Sequence, residues 1–255
     1  MNHLKKILLA IFLLDFTYTA ISQKIATTKI LPFLKDFNSY WYYYNGNTNL
    51  SDDFIALNEL KKEISKLSFL KQLLKGKYIP VRVSANNKLY YQLYKINSKV
   101  NDDIKNVIKQ MANIEIKNVT HEGKKMPNFN FIDLDGKNYN FNNTKGKVVV
   151  IKLWFIHCQA CVQEMPQLNE LVKKYSNRDE IIFLSLAFDD SKKLKKFLSK
   201  TTFKYPVVAN KEKYILNILR INEFPTHIVL NKEGIIIKVL TSAKFLPDIL
   251  AKMKS

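Results

Sequence analysis

The sequence predicts an α/β fold with a central mixed sheet flanked by helices, preceded by a small α+β region. Its 255 residues leave room for one large domain or two small ones, and a hydrophobic fraction of 47% can build a core. From about residue 126 onward, patterns typical of buried strands alternate with amphipathic helical patterns, as in α/β proteins. A polar stretch at residues 121–127, punctuated by Gly123 and Pro127, separates this part from the one before it.

The first 22 residues have the pattern of an export signal peptide. Two lysines precede an apolar run at residues 7–14, which Asp15 interrupts, and residues 20–22 form a small-x-small cleavage pattern. The run is shorter than the roughly 20 apolar residues that span a bilayer, and the rival interpretation is an uncleaved membrane anchor. Because no later segment has the length and apolarity to cross a membrane, we expect an exported, periplasmic protein without a transmembrane segment beyond the signal.

Residues 23–120 are expected to form a small α+β domain of unknown role. Apolar residues recur there at three- and four-residue steps, and the aromatic cluster at residues 40–44 is interpreted as packing because large aromatic side chains are usually buried. The predicted elements are a helix opened by Ser51, Asp52 and Asp53 that runs from 54 to 74 and ends at Gly76, a hairpin of strands 78–84 and 89–96 around Asn86 and Asn87, and a short helix opened by residues 101–103.

Residues 126–255 are expected to form the main α/β domain. The run from 148 to 154 is apolar apart from Lys152, as in a strand that is covered on both faces. Asp135 and Gly136 give a strong short hairpin signal. In chain order the predicted elements are strands 129–134, 139–141 and 148–154, a helix that follows the cysteines through residue 175, strand 181–188, helices 191–200 and 214–219, strands 228–230 and 235–240, and helix 246–253.

Cys158 and Cys161 are the only cysteines of the sequence and its best candidates for chemistry. Residues three apart on a helix share a face, at a separation of roughly 5–6 Å that a disulfide can span. A bridge that closes so short a loop contributes little stability, which favours electron exchange over a structural role. Cys158 falls where a buried strand ends and a helix begins, so unpaired N–H groups and the helix dipole are expected to favour its thiolate. Cys161, one turn further on, is then placed to attack a mixed disulfide on Cys158.

Two interpretations of the pair without redox chemistry are weaker. Zinc would need two more ligands, and His3, His121 and His227 form no close pair in the sequence. A structural disulfide in an exported protein usually links distant segments. The sequence also lacks a phosphate loop, a dinucleotide fingerprint and a complete metal cluster, so we expect no cofactor.

The formal net charge of +19 does not predict a nucleic-acid partner. Residues 24–125 and residues 126–255 each carry a net charge of +9, and nearly all of the excess is lysine. An even distribution of lysine lacks the focused, arginine-rich face that nucleic-acid binding requires.

Several motifs between residues 126 and 255 follow one another in the order found in a known family. They are residues 146–154 (GKVVVIKLW), the Cys158–Cys161 motif, residues 164–166 with Leu168, residues 224–226, residues 228–230 and residues 232–234. This half of the chain resembles the exported TlpA/ResA-like thiol–disulfide oxidoreductases of bacteria, whereas the stretch before residue 120 carries no such motif. The resemblance implies a thioredoxin-like fold with an N-terminal β-hairpin extension.

The resemblance also implies roles for individual residues. Cys158 would be the attacking sulfur and Cys161 the resolving one. Glu164 matches a glutamate near the cysteines and would exchange protons with a thiol, unless it is an ordinary solvent-facing carboxylate. Pro225 would be a cis-proline whose loop faces the disulfide, and Phe224 beside it would pair with an incoming peptide. The other candidate substrate-contacting residues surround these positions: Trp154, which would pack beneath the motif, His157, Gln159, Ala160 and Thr226.

Three positions affect how far the family pattern applies. Lys152 stands where thioredoxins often carry a buried aspartate, and because a buried lysine is costly we expect it to reach an edge of the sheet or to meet a carboxylate. The pair Gln159-Ala160 is neither Gly-Pro nor Pro-His, so the direction of electron flow is not transferred. Pro166 is expected to kink the helix that follows the cysteines.

These observations predict an exported thiol–disulfide oxidoreductase that reduces protein or peptide disulfides and receives its electrons from a membrane protein. One alternative is a redox-responsive binding or scaffolding module in which residues 24–125 recognise a partner. A thiol peroxidase is a further alternative, but Phe155 stands where peroxiredoxins need a threonine.

Overall fold

The structure is a computed structural model that describes residues 31–85 and 88–253. The predicted export signal, residues 1–22, lies outside the described residues. The chain divides after Asn113 into two compact units, and the limits predicted for the domains, 23–120 and 126–255, stay predictions. Within the described ranges, no helix combines the length and the apolarity that crossing a membrane would require.

The N-terminal unit combines a four-stranded sheet with helices. Its elements are a 3₁₀ helix (Leu31–Leu34), α1 (Phe37–Asn47), β1 (Ile55–Leu57), β2 (Glu63–Ile64), α2 (Lys66–Leu73), β3 (Tyr78–Ala85), β4 (Lys88–Lys95) and α3 (Asp102–His121), which continues past Asn113. The strands lie in the order β2-β1-β4-β3, with β1 parallel to β4 and the other pairs antiparallel. The hairpin β3–β4 confirms the predicted one, and α3 is longer than the short helix predicted there.

The helix predicted from 54 to 74 is wrong over its first half. Residues 55–57 and 63–64 are strands, and the helix begins only after Ser65, whose side chain accepts a hydrogen bond from the backbone N–H of Ser68. Between the strands, Asn58 Oδ1 accepts the N–H groups of Leu60 and Lys62, each at 2.9 Å, and Lys61 adopts a φ of 61°. Local side-chain hydrogen bonds of this kind favour a turn over a helix, so they override the apolar periodicity.

The aromatic residues 40–44 lie on α1 and differ in burial. Tyr40 is fully buried, which agrees with the packing interpretation, whereas Tyr42 is 85% exposed. The rings of Trp41 and Tyr44 stack at 6.1 Å. Because five consecutive residues point in all directions around a helix, packing accounts for only part of the cluster.

The C-terminal unit is built around a five-stranded mixed sheet. Its elements after α3 are β5 (Asn130–Ile132), β6 (Asn138–Asn140), α4 (Phe141–Thr144), β7 (Val148–Trp154), α5 (Gln159–Gln163), α6 (Met165–Lys174), β8 (Ile181–Ala187), α7 (Ser191–Leu198), β9 (Val207–Val208), a π-helical turn (Tyr214–Ile218), β10 (Thr226–Leu230), β11 (Ile236–Leu240), a 3₁₀ turn (Ala243–Phe245) and α8 (Leu246–Lys252). The sheet order is β11-β10-β7-β8-β9, with β7, β8 and β9 parallel and β10 antiparallel to both its neighbours. β5 and β6 form a separate antiparallel hairpin.

This architecture confirms the predicted fold class, a thioredoxin-like central mixed sheet flanked by helices and preceded by a β-hairpin. Strand β7 has the predicted bounds, while β9 and α4 were missed because they are short. The helix that follows the cysteines is divided at Glu164, two residues before Pro166, in agreement with the expected kink. Since every residue of β7 is buried, the strand is covered on both faces.

Candidate active site

The two cysteines lie where β7 gives way to α5. Cys158 is the N-cap residue of α5, and it forms a disulfide with Cys161 across a Cα–Cα distance of 5.2 Å. The Cys158 Sγ also accepts a hydrogen bond from the backbone N–H of Cys161, at 3.3 Å. Donors directed at a sulfur favour its anionic form, so this geometry favours a thiolate on Cys158 once the bond is reduced.

The two sulfurs differ in accessibility. Cys158 is 8% exposed and Cys161 is fully buried. Three of the predicted contact residues next to Cys158, which are His157, Gln159 and Ala160, are exposed. Cys158 is therefore the more accessible of the two cysteines.

A buried aromatic side chain supports the pair from below. Trp154, the last residue of β7, is fully buried in the apolar cluster that also holds Cys158, Cys161 and Met165. Its ring contacts that of Phe203 edge to face, with 5.7 Å between the centroids. Trp154 therefore packs in the same apolar cluster as both cysteines.

The loop before β10 carries the predicted proline. The peptide bond between Phe224 and Pro225 is cis, as the family resemblance implied. Phe224 is partly exposed and packs against the cluster that contains the cysteines, whereas Pro225 and Thr226 are buried. The hydroxyl of Thr226 donates to the carbonyl of Glu223 at 2.6 Å, which ties the loop to the start of the strand. Thr226 thus holds the loop through its side chain and is not an exposed contact.

Glu164 is the C-cap residue of α5, three residues after Cys161. Three groups contact its carboxylate. Its Oε2 atom lies 2.9 Å from Lys152 Nζ and 2.9 Å from His227 Nε2. Its Oε1 atom accepts the backbone N–H of Ala243 at 2.7 Å. Lys152 and His227 are both fully buried, and only 15% of the Glu164 side chain is exposed. Of the two predictions for Glu164, the solvent-facing carboxylate is wrong.

The protonation states of this cluster follow from burial and pairing. Burial alone would raise the pKa of Glu164, but the hydrogen bond from His227, the charge of Lys152 and the Ala243 N–H lower it to about 2. Burial lowers the pKa of His227, so at neutral pH its ring is neutral and Nε2–H donates to the carboxylate. Burial also lowers the pKa of Lys152, against the opposing effect of Glu164. The cluster is thus a buried Lys152–Glu164 ion pair with a neutral histidine donor.

Sequence reasoning identified Lys152 and left its partner open, and it missed His227 and Asp189. His227 lies directly opposite Lys152 in the β7–β10 pairing. Its position two residues after Pro225, on an extension of the strand predicted at 228–230, was the available signal. Asp189 follows β8 and accepts the backbone N–H of Ile156 at 2.8 Å, which fixes the loop before Cys158. No pattern in the sequence indicates that contact.

Within residues 31–85 and 88–253, no three histidine, cysteine or carboxylate side chains are grouped so as to hold a metal ion. The chemistry that the described arrangement supports directly is that of the sulfur pair.

Comparisons with known proteins agree with the geometry. Residues 121–244 match the model of the Redoxin family. The chain is 34% identical over 104 residues to the thiol-disulfide oxidoreductase ResA of Bacillus thuringiensis (strain Al Hakam), a match covering 41% of this chain and 60% of that protein. It is 26% identical over 133 residues to ResA of Geobacillus thermodenitrificans, covering 52% and 76% respectively. The chain therefore spans about three fifths of the first curated relatives it matches.

Solved structures with a similar domain include the thioredoxin domain of a thiol-disulfide oxidoreductase from Bacteroides vulgatus. That match has a TM-score of 0.48 and 24% identity, and covers 52% of this chain and 98% of the other. A DsbE thiol:disulfide interchange protein described as putative, from Chlorobium tepidum, gives a TM-score of 0.45 at 18% identity, covering 52% and 93%.

Proposed function

We propose that the protein is an enzyme of thiol–disulfide exchange of the ResA/TlpA type, which the Redoxin match at residues 121–244 and the similarity to the ResA relatives support. The observation that carries the proposal is the disulfide between one accessible and one buried cysteine at the end of a central strand. The accessible sulfur can meet a substrate, and the buried sulfur can complete the exchange without leaving the protein. A structural bridge between residues three apart would contribute little to stability.

The reaction follows from this asymmetry. In the reduced protein the Cys158 thiolate attacks a sulfur of the substrate disulfide, so that an intermolecular S–S bond forms and one substrate thiolate leaves. The Cys161 thiolate then attacks Cys158 Sγ, which breaks the intermolecular bond, releases the second substrate thiolate and forms the Cys158–Cys161 disulfide. Two electrons have passed to the substrate, and a donor dithiol must return the enzyme to its reduced form by the reverse exchange.

The residues around Cys158 are suited to contact a protein or peptide substrate. Phe224 lies beside the cis-proline, in a loop whose backbone leads into β10, and an extended peptide can pair with such a segment. We propose His157, Gln159 and Ala160 as further contacts because they are exposed around Cys158. Trp154 and Thr226 are buried, so they pack beneath these contact residues and do not meet the substrate.

The cellular setting belongs to the same proposal. The pattern of residues 1–22 and the ResA relatives support an exported, periplasmic enzyme that reduces the disulfides of exported proteins. Electrons would come from a membrane protein that passes reducing equivalents outward, because an exported compartment is oxidising. Residues 23–120 would form a separate domain of unknown role.

Two single substitutions test the exchange mechanism and act as controls for each other. In an insulin-reduction assay with dithiothreitol, we expect Cys158→Ser to lower the rate to that of dithiothreitol alone, because no attacking sulfur remains. Cys161→Ser keeps the first attack and loses the second, so it should accumulate mixed disulfides that mass spectrometry detects. Full activity of the Cys158→Ser protein would refute the proposal.

A further inference from the structure

Helix α7 begins at the edge of the sheet that carries the cysteines. Strands β7 and β8 are parallel, with Trp154 opposite Ala187, so the segments that follow them leave the sheet at the same edge. Asp189, two residues before α7, accepts the backbone N–H of Ile156 at 2.8 Å, and Ile156 lies two residues before Cys158. The first turn of α7 is therefore held next to the loop that presents the accessible sulfur.

The inner side of α7 packs into the same apolar cluster as the cysteines. Leu194 is fully buried there, and the centroid of the Phe197 ring lies 5.8 Å from that of the Trp154 ring. Leu194, Phe197 and Leu198 follow one another at helical spacing, so they share one side of the helix. The opposite side of α7 therefore faces outward.

Four exposed lysines occupy this outward side and form what we call the lysine face: Lys192, Lys193, Lys195 and Lys196. In the part of the chain that the structure describes, the lysine face makes one ion pair, between Lys193 and Asp190 at 3.4 Å. Residues 191–204 contain six lysines and no acidic residue, whereas the net charge of residues 126–255 is +9. Much of that net charge therefore lies on α7 and the segment that follows it.

These lysines do not stabilise the helix that carries them. Lys192 and Lys193 lie in its first turn, where the helix dipole disfavours a positive charge. Lys192 and Lys196 are four residues apart, which places like charges at neighbouring positions on the helix surface, and such pairs repel each other. Helix stability therefore does not account for the lysine face, whereas an anionic partner that lies across it relieves both effects.

Acidic side chains at the start of α7 leave the region positive. The Asp189 carboxylate accepts the Ile156 N–H, and Asp190 caps the helix by accepting the backbone N–H of Lys193 at 2.9 Å. Residues 189–204 still carry a net charge of +4, from six lysines and two aspartates. Surface charges of one sign attract a ligand of the opposite sign and raise its association rate, an effect that salt screens.

We propose that the lysine face binds an acidic segment of the protein substrate, next to the disulfide that Cys158 attacks. The inference rests on the proposed thiol–disulfide exchange and names its substrate class, which is a disulfide flanked by aspartate or glutamate. Charge complementarity selects an acidic polypeptide, and the reaction itself places a polypeptide at the loop with which the lysine face is continuous. Nucleic acid is disfavoured because the face contains no arginine, the residue whose planar fork suits phosphate.

The test compares two synthetic peptides that differ only in charge. Each contains an intramolecular disulfide, flanked by glutamates in one peptide and by glutamines in the other. The full-length chain reduces them with dithiothreitol as the electron source, and kcat/KM is determined after the rate with dithiothreitol alone is subtracted. At low salt we expect kcat/KM to be about tenfold higher for the glutamate peptide. At about 1 M salt, where the screening length is about 3 Å, this preference should disappear.

Two matched variants locate the preference on the surface. Replacing all four lysines of the lysine face with glutamine keeps the cap at Asp190 and the apolar side of α7, and it should reduce the preference to less than about twofold. The control replaces four other exposed lysines with glutamine, before β7, after β10 and at the end of α6: Lys145, Lys232, Lys173 and Lys174. This control removes the same charge away from the cysteines and should keep the preference of the unsubstituted chain.

Several results would overturn the inference. One is a preference of the same size with and without the lysine face, and another is an equal loss in both variants, which would assign the effect to net charge alone. Equal reduction of both peptides by the unsubstituted chain would refute the inference and leave the proposed function intact, whereas reduction of neither peptide would refute the proposed function itself. The salt dependence needs no variant, so a substitution that prevents folding does not remove the test.

A membrane surface is the rival occupant, and a separate measurement distinguishes it. The unsubstituted chain and the variant without the lysine face are sedimented with vesicles of phosphatidylserine and phosphatidylcholine in equal parts. Binding that requires the lysine face, combined with equal reduction of both peptides, would assign the face to an anionic membrane and contradict the inference.

Discussion

The two faces of β7 are buried to the same extent but have different compositions. On one face Val149, Ile151 and Leu153 belong to a hydrophobic cluster that contains no charged side chain. The other face begins with Val148 and Val150 and continues with Lys152 and then Trp154, toward the disulfide. The first face shows what the sheet needs for stability, which is apolar contact alone. The second carries a buried charge at the end of the strand nearest the disulfide, where Glu164 is in place as its partner.

The comparison is tested most strongly by Lys152→Met. We expect it to lower the free energy of unfolding of the oxidised protein by about 3–5 kcal/mol at neutral pH, because it leaves a buried carboxylate without its cation. Lys152→Met combined with Glu164→Gln should be close to the unsubstituted protein, since a buried ion pair replaced as a whole is often neutral. Urea unfolding measures both, and equal destabilisation of the single and double variants would show that the lysine acts by packing alone.

The second prediction concerns pH. Since the pKa of Glu164 falls from an ordinary 4.5 to about 2 on folding, its stabilising contribution is complete above pH 4.5. It is lost as the pH falls from there through 2, and it amounts to about 3 kcal/mol at 1.36 kcal/mol for each pKa unit. Unfolding free energies measured from pH 6 to pH 2 should therefore fall less steeply in Glu164→Gln than in the unsubstituted protein. If the two plots of unfolding free energy against pH were parallel, the partners of Glu164 would not lower its pKa on folding.

The apolar face provides the smallest effect and the control for pH. Ile151→Val removes one buried methylene opposite the charged face, and we expect a loss of about 0.5–1.5 kcal/mol. Because no titrating group is involved, the loss should be the same at pH 7 and at pH 3, and disulfide reduction should proceed at the unsubstituted rate. A loss that varies with pH would show that the two faces are not energetically separate.

Sequence patterns predicted the C-terminal unit better than the N-terminal one, for a physical reason. Strand β7 is a run of seven residues buried on both faces, so its apolar composition determines its limits. In the N-terminal unit, strand β1 has three residues and strand β2 has two. Strands this short contain too few alternating residues to be distinguished from the helical spacing of apolar residues in the same segment. The hydrogen bonds of the Asn58 side chain decided that segment, and such local competition is not visible in apolar spacing.

In the candidate site, too, features set by adjacent residues were predicted and contacts between distant residues were not. The positions of Cys158, Cys161 and Pro225 follow from motifs of a few adjacent residues, and the structure places them as expected at a strand–helix junction and a cis bond. The contacts of Lys152 with Glu164 and of Asp189 with Ile156 join residues 12 and 33 positions apart. Such contacts depend on which strands are neighbours and in which register, and neither is specified locally.

By itself, the sequence determined that a reactive sulfur pair stands at the end of a buried strand, because spacing, helix ends and strand burial are properties of short segments. Only the tertiary structure decided that the lysine of that strand is neutralised by Glu164 and faces His227 across the β7–β10 pair. The physical reason is that a buried charge must find its partner in three dimensions. That partner was set by the packing of α5 and β10 against β7, not by any spacing along the chain.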